Sequence, residues 1–324
     1  MTRNFYRIAG ADMTSDSVGL HGLWVDLLMP LDANLDIHHT KLYTHIQTLA
    51  VKGIAGIVLF GPSGEGDAFS CDERIDAIRQ LLDRGISAKD MAIHAAFPTL
   101  RDSLKLIEQA HAMGVKCFIL HPAFNNRDAT DAGMVDFFSH LAQQLKGQDL
   151  LLYLASDPCA GAHDLNNRVI SQLLAQHRDQ FEGLIDQSHN ASHTLDWMRA
   201  FEEKLSILTT QDMNAKVMAN LGVHTGISSY ANVIPALMIR TIMSNQASKR
   251  SVTGEAIDVD GQLLMAFDQM IMSMPAVPAL KYLLSIQYRD PDWNRVRPPL
   301  SLLNSSTHDK LLKDFQKFNA SAAP

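Results

Sequence analysis

Paired cysteines are missing from this sequence. Its three cysteines, Cys71, Cys117 and Cys159, lie far apart, form no Cys-x-x-Cys and are odd in number. That argues against a disulfide framework and fits free thiols in a reducing compartment. Long apolar runs are missing too. The longest, such as Ile54–Phe60, extend for about seven residues, whereas a membrane-spanning helix needs roughly 20. No stretch concentrates Lys and Arg with aromatics, so a nucleic-acid surface is not expected. No low-complexity run or charge block marks a linker. The charge balance, 35 acidic against 28 basic side chains for a formal −7, says little about substrate. Residues 1–21 read as an N-terminal leader that carries Arg3 and Arg7 but no long apolar stretch before Asp12. No signal peptide is expected from that pattern, and the expected location is cytoplasmic.

What is present is a large apolar content with an even rhythm. Of the 324 residues, 46% are hydrophobic, ample for a large core. Short strand-like runs recur at Val25–Pro30, Ile54–Phe60, Met91–Phe97, Lys116–Leu120, Leu150–Ala155, Phe181–Asp186, Leu205–Thr209 and Thr225–Tyr230. Helix-like segments lie between them. Leu42, Ile46, Leu49 and Ala50 repeat at the spacing of one buried helical face. Ser70-Cys71-Asp72-Glu73 has the form of a capping box, and Thr99-Leu100-Arg101-Asp102 opens the next helix in the same way.

Eight strands alternating with helices predict parallel βαβ units, whose right-handed crossovers close into a barrel. The expected fold class is therefore α/β, a (β/α)8 TIM barrel over residues 22–247. A C-terminal helical appendage over 248–324 is predicted at Ile257–Met274, Ala279–Gln287 and Ser306–Phe318. A doubly wound sheet is the main alternative, but it would more often carry a Gly-rich phosphate loop after the first strand, and none is present.

In such a barrel the chemistry sits at the C-terminal ends of the strands. Strand two ends in Gly61-Pro62-Ser63-Gly64-Glu65, and strand four in His121-Pro122-Ala123-Phe124-Asn125. Strand five carries Leu152-Tyr153-Leu154. Strand eight runs into Ser228-Ser229-Tyr230-Ala231-Asn232, and Arg297-Pro298-Pro299 follows late in the chain. With Met29-Pro30-Leu31 after strand one, these motifs resemble, in order and approximate spacing, the dihydrodipicolinate synthase and N-acetylneuraminate lyase family. The resemblance covers about Gly22 to Phe318. It implies a lysine that forms an imine with pyruvate or another 2-oxo acid, a loop that holds the substrate carboxylate, and a tyrosine that shuttles protons. Tyr153 falls on that tyrosine and Gly61–Glu65 on that loop. Pro62, Ser63, Gly64, Ile185 and Ser228 are the expected substrate-binding positions.

The departures are equally specific. The family's lysine normally stands in Gly-Ile-Lys-[Glu/Asp]; here the stretch is Gly183-Leu184-Ile185-Asp186-Gln187-Ser188, aligned without a gap. No lysine lies between Lys146 and Lys204. The first loop hydroxyl is replaced by Pro62 and the paired tyrosines after strand four by Ala123 and Phe124. The sequence also carries strand polar residues unusual for the family, Asp26, His94, His121 and Gln211, which read as a hydrogen-bonded network more readily than as a metal site.

The expectation is a protein that binds a small 2-oxo acid or related carboxylate, with no cofactor or metal, as a homodimer or homotetramer, and without nucleic-acid or membrane partners. Schiff-base aldolase or synthase activity is not expected with Ile185 at the lysine position. A non-catalytic binding or regulatory homologue, and a lyase with imine-independent chemistry, both stay open.

Overall fold

Why the strands face as they do follows from side-chain alternation. In β1 (Leu23–Asp26), Leu23 and Val25 pack outward under the helices while Trp24 joins the barrel interior. The same alternation recurs through β2 (Gly56–Leu59), β3 (Met91–His94), β4 (Cys117–Leu120), β5 (Leu151–Ser156), β6 (Phe181–Asp186), β7 (Ser206–Thr209) and β8 (Gly226–Ser228). In this computed structural model the eight strands close into one parallel barrel in sequence order, with β1 paired to both β2 and β8. The structure describes residues 19–122, 128–156, 164–188, 190–210, 212–221, 223–243 and 258–322.

Two apolar layers result. The inner one fills the barrel with Leu20, Trp24, Val58, Ala92, Cys117, Ile119, Tyr153, Ala155, Ile185, Leu208 and Ile227. The outer one lies between strands and helices. Gly56 is needed inside: a Cβ there would stand 2.4 Å from the Trp24 ring. The barrel helices are α1 (His39–Lys52), α2 (Cys71–Asp83), α3 (Leu100–Ala112), α4 (Asp131–Gln144), α5 (Asn167–His177), α6 (Ala191–Phe201), α7 (Ala215–Asn220) and α8 (Pro235–Met243). Ser70 and Glu73 form the expected capping box on α2, and the Thr99 side chain accepts from Asp102 N–H at the start of α3.

Three further helices follow, α9 (Val259–Ile271), α10 (Ala276–Tyr288) and α11 (Ser305–Ala322). They do more than extend the barrel. From α10, Lys281 is fully buried and its ammonium pairs with Glu65 at the end of the β2 loop. Arg297 N–H donates to the other Glu65 oxygen at 2.6 Å, and its guanidinium donates to Leu35 O, Ala68 O and Glu73. The C-terminal region thus clamps the loop at the barrel mouth. No single helix among the described residues is long and apolar enough to cross a membrane.

Candidate active site at the barrel mouth

Ile185 stands inside the barrel. It is fully buried, opposite Ala155 on β5 and Leu208 on β7, with no amine in its place. The acidic residue after it turns the other way. Asp186 accepts from Thr194 Oγ1 and from Ser188 N–H, which fixes the start of the β6–α6 connection.

Tyr153 is not at the mouth. Its ring packs against Gly183, where a Cβ would stand 2.8 Å away, and its hydroxyl accepts from Leu20 N–H at 2.8 Å. Leu20 precedes β1, so this bond lies at the N-terminal floor of the barrel. Burial raises the phenol's pKa well above its ordinary value. Tyr153, expected as the proton-shuttling tyrosine, therefore has its hydroxyl at the end of the barrel opposite the Ser63 loop. The pairing of β5 with β6 shifts register between Leu152 and Tyr153, and the phenol extends downward.

The other expected positions divide. Pro62 is exposed on the outer side of the loop, whereas Ser63 and Gly64 are buried. A Cβ on Gly64 would meet Leu27 O at 2.8 Å, so this glycine serves close backbone approach. Ser228 ends β8, paired with Val25 on β1, and joins a polar knot just beyond β7. Its hydroxyl donates to Asp212, which also accepts from Ser229 Oγ and Tyr230 N–H. Burial raises the Asp212 carboxyl to about 6, opposed by these donors. Ala123, Phe124 and Gln211 lie outside the described residues.

What does stand at the mouth is polar. Ser63 N–H donates to Asp26 Oδ2 at 2.9 Å. Asp26 Oδ1 has no hydrogen-bond partner among the described residues. Burial raises the Asp26 carboxyl to about 6, with Ser63 opposing. At the end of β3, His94 is buried, with Nε2 lacking a partner among the described residues. Its ring is 5.7 Å from that of His121. Burial first, then His121 and Arg74, hold His94 well below the usual histidine range. Gln187, just beyond β6, is buried with its Oε1 likewise unpartnered among the described residues. Orphaned polar atoms of this kind ask for an explanation, and a ligand or ordered water supplies one. Among the described residues no three His, Cys, Asp or Glu side chains cluster as a metal site.

Two supports for this mouth were not legible in the sequence. Asn232 donates to Asp26 O at 2.8 Å and accepts from Leu28 N–H at 3.1 Å, and it contacts His45 Nε2 at 3.0 Å. His45 in turn reaches the Tyr288 hydroxyl at 2.8 Å. Arg74, buried on α2, donates to His94 O, Ala96 O and Gly66 O, tying β3 to the β2 loop. The Ala231-Asn232 motif was visible; its role as an anchor for β1 required the contacts.

A closed eight-stranded parallel barrel with its polar residues gathered at the C-terminal mouth is the framework of the aldolase-type barrels. Comparison is more specific. The pattern of the dihydrodipicolinate synthetase family matches residues 19–318, and the chain belongs to that family. Among its relatives is the 4-hydroxy-tetrahydrodipicolinate synthase of Marinobacter nauticus, 25% identical over 218 residues, 67% of this chain and 73% of the relative. Another is the 2-dehydro-3-deoxy-phosphogluconate/2-dehydro-3-deoxy-6-phosphogalactonate aldolase of Saccharolobus solfataricus, 21% identical over 91% of this chain and 94% of the aldolase. The crystal structure of dihydrodipicolinate synthase from Agrobacterium tumefaciens superposes with a TM-score of 0.80 at 21% identity, covering 92% of this chain and 99% of that one.

Proposed function

We propose that this chain binds a small oxo or hydroxy acid at its barrel mouth without forming an imine. The observation that supports this reading is Ile185, buried in the interior where the aligned family lysine would stand. Three other lysines are already paired. Lys116 pairs with Asp149 and Lys216 with Asp258. Lys281, the lysine nearest the mouth loop, is enclosed between Glu65 and Arg295 O at 2.7 Å. Tyr153 is engaged at the floor. The proton shuttle and the nucleophile of a Schiff-base aldolase are thus both unavailable at the mouth among the described residues. A ligand there meets His94, Gln187 and the Ser63 loop instead.

The test is borohydride reduction with pyruvate, read by intact mass and peptide mapping. The native chain should show no adduct, and an adduct on any lysine would overturn the reading. Ile185→Lys, with its amine neutralised in part by desolvation, should become trappable while turning over little.

A further inference from the structure

Ser63 presents a backbone donor to a carboxylate, and that carboxylate is the chain's own. Its N–H reaches Asp26 Oδ2 at 2.9 Å. The carboxylate lies flat against the loop. A Cβ at Gly61 would stand 2.2 Å from Asp26 Oδ1. Behind it, Asn232 holds the Asp26 carbonyl, so the strand end cannot drift away from the loop. Yet the fit is incomplete. Asp26 is 8% exposed and Oδ1 finds no partner among the described residues. A buried carboxylate normally has its oxygens satisfied, and leaving one bare is costly.

We infer that Asp26 is a tethered occupant of a carboxylate seat in the Gly61–Glu65 loop, in competition with free small monocarboxylates. This rests on the reading that the mouth binds small acids. A backbone N–H does not distinguish a tethered carboxylate from a free one; a charge-assisted bond forms with either. Tethering supplies an effective concentration of about 1 mM or more. A free acid must displace the side chain or bind beside a like charge, so the native chain holds such acids weakly. Removing the side chain vacates the Ser63 N–H and a space the size of a carboxylate.

Acetate is the direct probe, because it has no ketone and cannot report imine chemistry. Calorimetry and acetate-dependent thermal shift are measured at neutral pH on the native chain, Asp26→Ala and Asp26→Asn, with circular dichroism as the fold control. Asp26→Ala should bind acetate and pyruvate at least ~10-fold more tightly than the native chain, given the tether's advantage. Asp26→Asn, whose amide oxygen still fills the seat, should gain little. Thermal shift remains readable in a destabilised variant, since a ligand that binds only the folded chain raises its melting point. No acetate-dependent gain in Asp26→Ala overturns the inference. So does an equal gain in Asp26→Asn, which would make charge repulsion the block. Neither outcome touches the borohydride result on the native chain, and a pyruvate adduct there would leave the acetate comparison standing.

Discussion

At the scale of single residues, the place of a phenol inside a barrel depends on its hydrogen bond, as at Tyr153. Its inward orientation follows from strand alternation. A phenol is long enough to serve either end of a barrel, and only the Leu20 contact, 133 residues away in sequence, decides which. Tyr153→Phe should leave the buried Leu20 N–H unpaired and cost about 1–3 kcal/mol in urea unfolding. Affinity for acids at the mouth should not change; a loss of mouth binding with intact stability would return Tyr153 to the site. Ile185 was legible as an inward residue, because alternation along a strand fixes which side chains enter the barrel. Asp26 stood out as an unusual strand residue, but its partner Ser63 could not be read from spacing. Its pH behaviour can be predicted. The carboxyl titrates at about 6 in the folded chain against an ordinary 3.8. A raised acid pKa means the folded state holds the proton more tightly. The resulting penalty is absent below about pH 4, grows between about 4 and 6, and is complete above 6, on the order of 2–3 kcal/mol. Asp212 contributes a similar slope. The stability gained by Asp26→Asn should therefore be larger near pH 7.5 than near pH 4.5, as measured by denaturant titration. An unchanged difference between the two would argue against a buried carboxylate.

Elements were easier to read than their ends. All eight strands lie within or close to their predicted runs, and β6 matches its run at both ends. The predicted β1 began two residues late and, like β3, overran on the C-terminal side, because apolar residues such as Leu27 and Leu28 continue into buried loop. Burial, not ladder pairing, is what their composition reports. The clamp between α10 and the β2 loop was invisible for another reason: Lys281 and Glu65 are 216 residues apart. Lys281→Met should leave Glu65 buried and unpaired, costing roughly 3–5 kcal/mol. Adding Glu65→Gln should recover part of that loss. A single variant as stable as the native chain would show that the pair contributes little to holding the mouth.

For the whole molecule, an even succession of apolar runs was enough to indicate a closed barrel, since eight βαβ units have few ways to bury both faces of a sheet. Assembly is a different question, settled by surface and not by rhythm. Val259, Met265 and Met272, on or next to α9, are each at least half exposed, as is Met243 at the end of α8. We expect the 35.8 kDa chain to run as a homodimer or homotetramer in light scattering. A monomer at micromolar concentration would count against that expectation.

Closure of the barrel also sets an order of events during synthesis. β1 ends at Asp26 but one of its two neighbours, β8, begins at Gly226. At roughly 5–20 residues per second, the last strand emerges about 10–40 s after the first. Throughout that interval one edge of β1 has no strand beside it, and unpaired edges invite pairing with other chains. Asn232, which anchors the exit of β1, emerges later still. A nascent chain arrested before residue 226 should therefore be held by chaperones at β1, and release should follow only when β8 arrives to pair with it.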